Sequence, residues 1–247
     1  MSNLKDKIAI VTGGNSGIGY ATAKELISQG AKVLITGRRT AAIEQAAAAL
    51  GAIPFTADQA NLQDIVSFRN KVEKQFGKVD ILFINAGITG VQVPIAEAET
   101  ENFDNVMNIN FRGAYFTLSK FIPLLQEGAS VVVLSSIVAS TYKPNSSIYQ
   151  ASKAALNSIA KTAALELAER KIRVNMVSPG PHETEVLKKT GLDDAALKGI
   201  HDWLLNAIPL KKMGDPADIA KLVAYLCTDA ASFMTGTEII VDGGMTV

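Results

Sequence analysis

The chain has 247 residues, 48% of them apolar and 19% charged, with 24 basic and 24 acidic side chains that cancel to zero net charge. That balance lacks the basic excess with which proteins meet nucleic acid or an anionic membrane surface, so neither partner is expected. The single cysteine, Cys227, has no partner for an internal disulfide, and the first apolar stretch is too short for a leader or a membrane span, so a cytoplasmic location is expected.

Short β-branched runs alternate with segments of helical spacing along the whole chain. Strands are predicted at Lys7–Thr12, Lys32–Thr36, Ile53–Ala57, Val79–Asn85, Ser130–Ser136, Arg173–Ser178 and Glu238–Asp242. Helices are predicted at Gly17–Gln29, Thr40–Leu50, Leu62–Phe76, Thr100–Gln126, Ser147–Glu169, Asp193–Asn206 and Pro216–Thr228. Each parallel strand pair needs a crossover, so this order implies an α/β fold with a parallel sheet between two helical layers. The runs IAIV, VLIT, ILFI and VVVL are almost continuously apolar, as in strands covered on both faces. Gly30 and Gly77 sit where helices end, and Asp215-Pro216 reads as an N-cap followed by proline at the first helical position. No linker interrupts the series, which implies one domain over residues 1–247. Residues 179–210 have the weakest pattern and hold both histidines and the only tryptophan, so they are the candidate substrate-covering insert.

After the first strand comes a turn with Gly13, Asn15, Ser16, Gly17, Ile18 and Gly19, running straight into a helix. Glycines there let backbone N–H groups approach a dinucleotide pyrophosphate at the positive end of the helix. The spacing, Gly-x-x-x-Gly-x-Gly, differs from Gly-x-Gly-x-x-Gly, and a tight ligand-free connection is the plain alternative. The second strand ends in Gly37-Arg38-Arg39, and no carboxylate lies between Glu25 and Glu44. An acid at this point would bind the ribose hydroxyls of NAD, whereas guanidinium groups can clamp a 2′-phosphate. NADP(H) is therefore expected over NAD(H); the alternative leaves Arg38 and Arg39 as solvated loop residues with both cofactors accepted.

The glycine turn, Asn85-Ala86-Gly87, Asn110, Ser136, Tyr149-x-x-x-Lys153 and Pro179-Gly180 stand in the order and at the intervals of one family. Over essentially its whole length the chain resembles the short-chain dehydrogenase/reductase family, in its branch of about 250 residues. The resemblance implies a Rossmann-type, doubly wound parallel sheet of about seven strands, a nicotinamide cofactor, hydride exchange between carbonyl and alcohol, and a homotetramer.

The residue chemistry agrees. Tyr149 and Lys153 are four apart and share one helix face. A phenol with a pKa near 10 exchanges protons poorly at neutral pH, and lowering it by about three units takes roughly 4 kcal/mol. One cation about 4 Å away supplies about that much in an effective dielectric of 20, so Lys153 is expected to stabilise the phenolate. By resemblance, Lys153 also holds the nicotinamide ribose, Ser136 polarises the substrate oxygen, and Asn110 holds a water in a proton relay. Read from the residues alone, Asn110 could equally bond backbone locally.

The resemblance further assigns Asp58 and Gln59 to the adenine side, Asn85, Ala86 and Gly87 to the adenosine ribose, and Pro179, Gly180 and Thr184 to the nicotinamide carboxamide. His182 stands where an aliphatic residue is common; a polar contact to carboxamide or substrate and simple tolerance are both open. His182 and His201 lack further ligands at metal spacing, so no metal is expected. Cys227 reads as core, and Trp203 either caps the substrate pocket or packs its helix. Apolar residues in the pocket windows (Ile88, Val91, Val93, Ile137, Val138, Val186, Leu187, Trp203, Leu204) suggest a hydrophobic ketone. The leading reading is an NADPH-dependent carbonyl reductase, reversible as a secondary alcohol dehydrogenase. The rivals are an NAD-linked dehydrogenase of a sugar or steroid-like alcohol and a catalytically idle cofactor sensor.

Overall fold

The computed structural model describes residues 4–183 and 193–247. Seven parallel strands form one sheet: β1 Ile8–Thr12, β2 Lys32–Gly37, β3 Ile53–Thr56, β4 Val79–Ile84, β5 Leu125–Leu134, β6 Arg173–Pro179 and β7 Glu238–Val241. Their order is β3-β2-β1-β4-β5-β6-β7. The helices are α1 Gly17–Ser28, α2 Thr40–Leu50, α3 Leu62–Phe76, α4 Thr100–Met107, α5 Ala114–Phe121, α6 Ser147–Glu166, α7 Asp194–Ala207 and α8 Pro216–Leu226. This is the parallel α/β sheet that the alternating pattern implies, of the Rossmann type that the resemblance implies.

Alternation along each strand divides the core in two. Ile10, Leu34, Leu82, Val131 and Met176 face α3, α5 and α6, where Phe68, Val72, Phe121 and Leu156 meet them. Ala9, Val11, Ile35, Phe83 and Val177 face α1, α2 and α8, against Leu26, Ile43 and Val223. Both sheet faces are thus removed from water, which is why the central runs of β1, β2, β4 and β5 are almost continuously apolar. Strand order reverses between β1 and β4, and the crevice at their carboxyl ends is where open α/β sheets take ligands.

The predicted helix Thr100–Gln126 is a correction. It breaks into α4, a π-helical turn at Asn108–Gly113, α5 and a 3₁₀ turn at Ile122–Leu124, and β5 begins at Leu125. Pro123 supplies no N–H to continue α5. At the π turn, the backbone passes so close to Gln59 that a Cβ on Gly113 would stand 2.1 Å from the Gln59 carbonyl oxygen. The predicted β5 start at Ser130 is five residues late, and the pairing with β4 shifts register between Val79 and Ile81 to accommodate the extra residues. Asp215 caps α8 with a full capping box, Asp218 answering from the first turn, as the Asp-Pro pair suggests.

Candidate active site

The turn after β1 is built against two other strands. Gly13 and Gly17 take left-handed φ of 66° and 54°, a conformation glycine adopts without steric cost. A Cβ on Gly19 would lie 2.3 Å from the Gly13 carbonyl oxygen, and one on Gly14 would lie 2.6 Å from Ile35. Thr12 Oγ1 accepts from the backbone N–H groups of Asn85 and Ala86, at 2.9 and 3.1 Å. Asn85 Nδ2 donates back to the carbonyls of Thr12 and Gly13, at 2.8 and 3.1 Å. The Asn85 side chain therefore ties the turn to the end of β4. Thr12 is a functional position that the sequence reading passed over, although its place immediately before the glycines marks it.

The start of α1 fits a pyrophosphate. Ser16 is its N-cap residue but makes no side-chain cap, and the first turn, which includes Ile18, carries no acid. Its first N–H groups and the positive end of its dipole therefore remain available to an anion. Asn15 leans across to the end of β2, its Oδ1 3.1 Å from where a Gly37 Cβ would be. Arg38 and Arg39 follow directly, both exposed and without an ion pair among the described residues. Beyond β3, Asp58 accepts from Ala60 N–H at 2.9 Å and lies partly exposed on the same edge. Gln59 instead turns inward. Its Nε2 donates to the carbonyls of Ala86 and Ile109, at 3.2 and 3.0 Å, while Oε1 is buried without a partner. Its side chain braces the π turn rather than facing the adenine side.

The end of β5 and the first turns of α6 meet at the sheet's carboxyl edge. Ser136, buried, caps a short 3₁₀ turn at Ile137–Ala139 and lies beside the Tyr149 phenol, whose pKa it pulls down. Ser135 faces elsewhere, its buried hydroxyl unpartnered. Lys153 is 3% exposed; its ammonium donates to the Leu134 carbonyl at 2.8 Å and stands 5.9 Å from the centre of the Tyr149 ring. Gly87 gives that ammonium room, since a Cβ there would be 3.5 Å from Nζ and 3.2 Å from Asn110 Oδ1.

Burial lowers the Lys153 pKa to about 8. Burial also raises the Tyr149 pKa, against a smaller downward pull from Ser136. The expected lowering of the phenol by Lys153 is thus corrected in this arrangement, because desolvation disfavours the phenolate while the ammonium is engaged at Leu134.

Asn110 lies in the π turn, fully buried. Its Nδ2 donates to the Ile88 carbonyl at 2.8 Å and to Ser152 Oγ at 3.0 Å, and its Oδ1 accepts from Ile88 N–H at 2.8 Å. Ser152 in turn donates to the Tyr149 carbonyl at 2.7 Å. Both amide donors are committed, so the side chain pins the loop after β4 to the helix that carries Tyr149. Ser152 and the Ile88 backbone belong to this site although no sequence motif names them.

Pro179 ends β6 paired with Val241, and Gly180 N–H donates to the Val241 carbonyl at 2.9 Å. His182 is buried: Nδ1 lies 3.0 Å from the Gly180 carbonyl, and its ring covers Gly214, where a Cβ would come within 2.5 Å. Its Nε2 has no partner. Thr184, Val186 and Leu187 lie outside the described residues. No three His, Cys, Asp or Glu side chains stand where they could hold a metal among the described residues. Cys227 is the C-cap of α8 rather than an interior helix position, and burial pushes its thiol up to about 12.

Comparison with known proteins now adds to the geometry. A family model described as enoyl-(acyl carrier protein) reductase matches residues 13–246. An NADP-dependent (R)-specific alcohol dehydrogenase of Lentilactobacillus kefiri is 35% identical over 254 residues, covering 98% of each chain. A short-chain dehydrogenase/reductase structure from Brucella melitensis, titled glucose/ribitol dehydrogenase, superimposes with a TM-score of 0.93 at 32% identity, covering 100% of both chains. This chain belongs to the short-chain dehydrogenase/reductase family. It is an oxidoreductase of the type that uses a nicotinamide cofactor. A 3-ketoacyl-(acyl-carrier-protein) reductase from Brucella melitensis, solved with NADH, is 33% identical with a TM-score of 0.90, covering 99% of this chain and 100% of that one.

Proposed function

We infer that this oxidoreductase is an NADPH-dependent carbonyl reductase, reversible as a secondary alcohol dehydrogenase, and that residues 1–247 act as one unit. The observation that carries the reading is that Ser136, Tyr149 and the buried Lys153 ammonium stand together, at the sheet edge that also presents the glycine turn. When bound, the reduced nicotinamide supplies the hydride. Tyr149 gives its proton to the carbonyl oxygen as negative charge grows there, and Ser136 donates a hydrogen bond to the same oxygen. Its raised pKa keeps Tyr149 protonated at neutral pH, which suits the reductive direction. Lys153 stabilises the phenolate left behind and is placed to hold the ribose hydroxyls. Asn110 fixes the loop that completes the cleft and leaves its remaining oxygen acceptor for a relay water.

The turn from Gly13 to Gly19 would hold the pyrophosphate, Asp58 the adenine edge, Ala86 and Gly87 the ribose side, and Pro179, Gly180, His182 and Thr184 the carboxamide side. Arg38, without an ion pair among the described residues and next to Gly37, against which Asn15 leans, supports recognition of a 2′-phosphate. The Lentilactobacillus relative is named as NADP-dependent and the Brucella reductase was solved with NADH, so the preference for NADP is argued from this chain's own Arg38. Initial rates on a hydrophobic ketone test both halves. NADPH is expected to outrun NADH at least tenfold, and Tyr149→Phe to cut kcat by 10² or more. A tenfold preference for NADH defeats the cofactor assignment, and full activity of Tyr149→Phe defeats the proton donor.

A homotetramer in the cytoplasm completes the proposal. No helix among the described residues is long and apolar enough to cross a membrane. Phe103 and Tyr115, 47% and 46% exposed on α4 and α5, and the exposed Leu165, Phe233 and Ile240 are apolar side chains that self-association would cover.

A further inference from the structure

Lys143, six residues before Tyr149, and Trp203 of α7 meet although they are distant in sequence. Lys143 lies in the segment between the Ser136 turn and α6, and Gln150 straps its backbone to the first turn of α6. Gln150 Nε2 donates to the Lys143 carbonyl at 2.7 Å, and Lys143 N–H donates to Gln150 Oε1 at 3.4 Å. Gln150 is the residue immediately after Tyr149, so Lys143 is fixed relative to the proposed proton donor. Trp203 of α7 stays outside the small core that Leu204 and Ile208 form with Met213. The Lys143 ammonium sits 5.4 Å from the centre of the Trp203 ring.

Neither residue is spent on structure. Trp203 is 53% exposed and Tyr142, next to Lys143, is 94% exposed, an arrangement that leaves large aromatic surface in water. Lys143 forms no ion pair among the described residues, and Asp202, the nearest acid in sequence to Trp203, pairs with His201 at 3.8 Å. An ammonium over an indole face keeps N–H donors directed outward, so the pair offers an apolar wall with an unneutralised cation at its end.

The geometry points to a distal substrate subsite in which Trp203 packs on the apolar body of a ketone and Lys143 receives an anionic group at its far end. This rests on the carbonyl reductase reading and narrows its substrate class to amphipathic ketones with a carboxylate or similar anion remote from the carbonyl. A neutral hydrophobic ketone would make no use of the Lys143 charge, and a compact polar sugar would leave Trp203 and Tyr142 uncovered.

A matched pair of probes tests it: 9-oxodecanoate and its methyl ester, which share the ketone and chain and differ in the charge. Wild-type kcat/KM is expected to favour the acid at least fivefold, through KM. K143M is expected to erase that ratio and K143E to bring it below one. Trp203 is the only tryptophan in the chain, so its fluorescence reports the subsite without turnover. The acid is expected to shift it at lower concentration than the ester in wild type, and at equal concentration in K143M. Turnover without acid preference in either readout overturns the subsite, as does a preference that survives K143M. An acid preference in fluorescence without reduction of either ketone keeps the subsite and overturns the reductase reading, whereas no preference in fluorescence and no turnover overturns both.

Discussion

Lys153 is buried with its ammonium on one carbonyl, and its pKa falls from 10.5 to about 8. Between those values the unfolded chain holds a proton that the folded chain has released, so this residue adds stability as pH rises from about 8 toward 10.5. Conversely, keeping the charge at neutral pH costs about 3 kcal/mol, a cost the fold bears for the site. Because kcat/KM reports groups of the free enzyme, ketone reduction should hold level up to about pH 8 and fall above it as Lys153 loses its proton. A profile flat to pH 10 contradicts this. Alcohol oxidation, which needs the phenolate, should instead gain from pH 7 to 8, since burial raises the Tyr149 pKa. Cys227, pushed up to about 12, should resist a disulfide reagent at pH 8 in the native enzyme and react once urea unfolds it.

The strand-to-helix turn after β1 depends on close backbone approach more than on flexibility. In Gly19→Ala the new methyl would sit 2.3 Å from the Gly13 carbonyl oxygen, backbone that cannot step aside. Its expected effects are a loss of about 1–3 kcal/mol in urea unfolding and at least a tenfold weaker NADPH titration. The glycines and the helix start were legible because strand, turn and helix are local patterns. The π turn at Asn108–Gly113 was not, since it answers to Gln59, which is distant in sequence and held by carbonyls of two other segments. Nor could hydropathy place the start of β5, where Leu125 and Gln126 continue a helical pattern until Pro123 and the β4 pairing override it.

Across the molecule, β1 and β7 come from the two ends of the chain yet lie in one sheet, and exposed apolar residues stand on α4 and α5 (Phe103, Tyr115) and on β7 (Ile240). Light scattering is expected to give four copies, with Phe103→Glu plus Tyr115→Glu halving the mass; a monomeric wild type refutes the assembly. By itself the sequence determined the parallel α/β sheet and the family, and it singled out Ser136, Tyr149 and Lys153 as candidates. These rest on short-range periodicity and on motif spacing, which a linear chain displays. Only the tertiary structure decided that Asn110 and Gln59 act as braces, that burial raises the Tyr149 pKa, and that Lys143 reaches Trp203. Desolvation and hydrogen-bond partnership depend on what other segments bring to a residue, and that is set by packing between elements far apart in the chain.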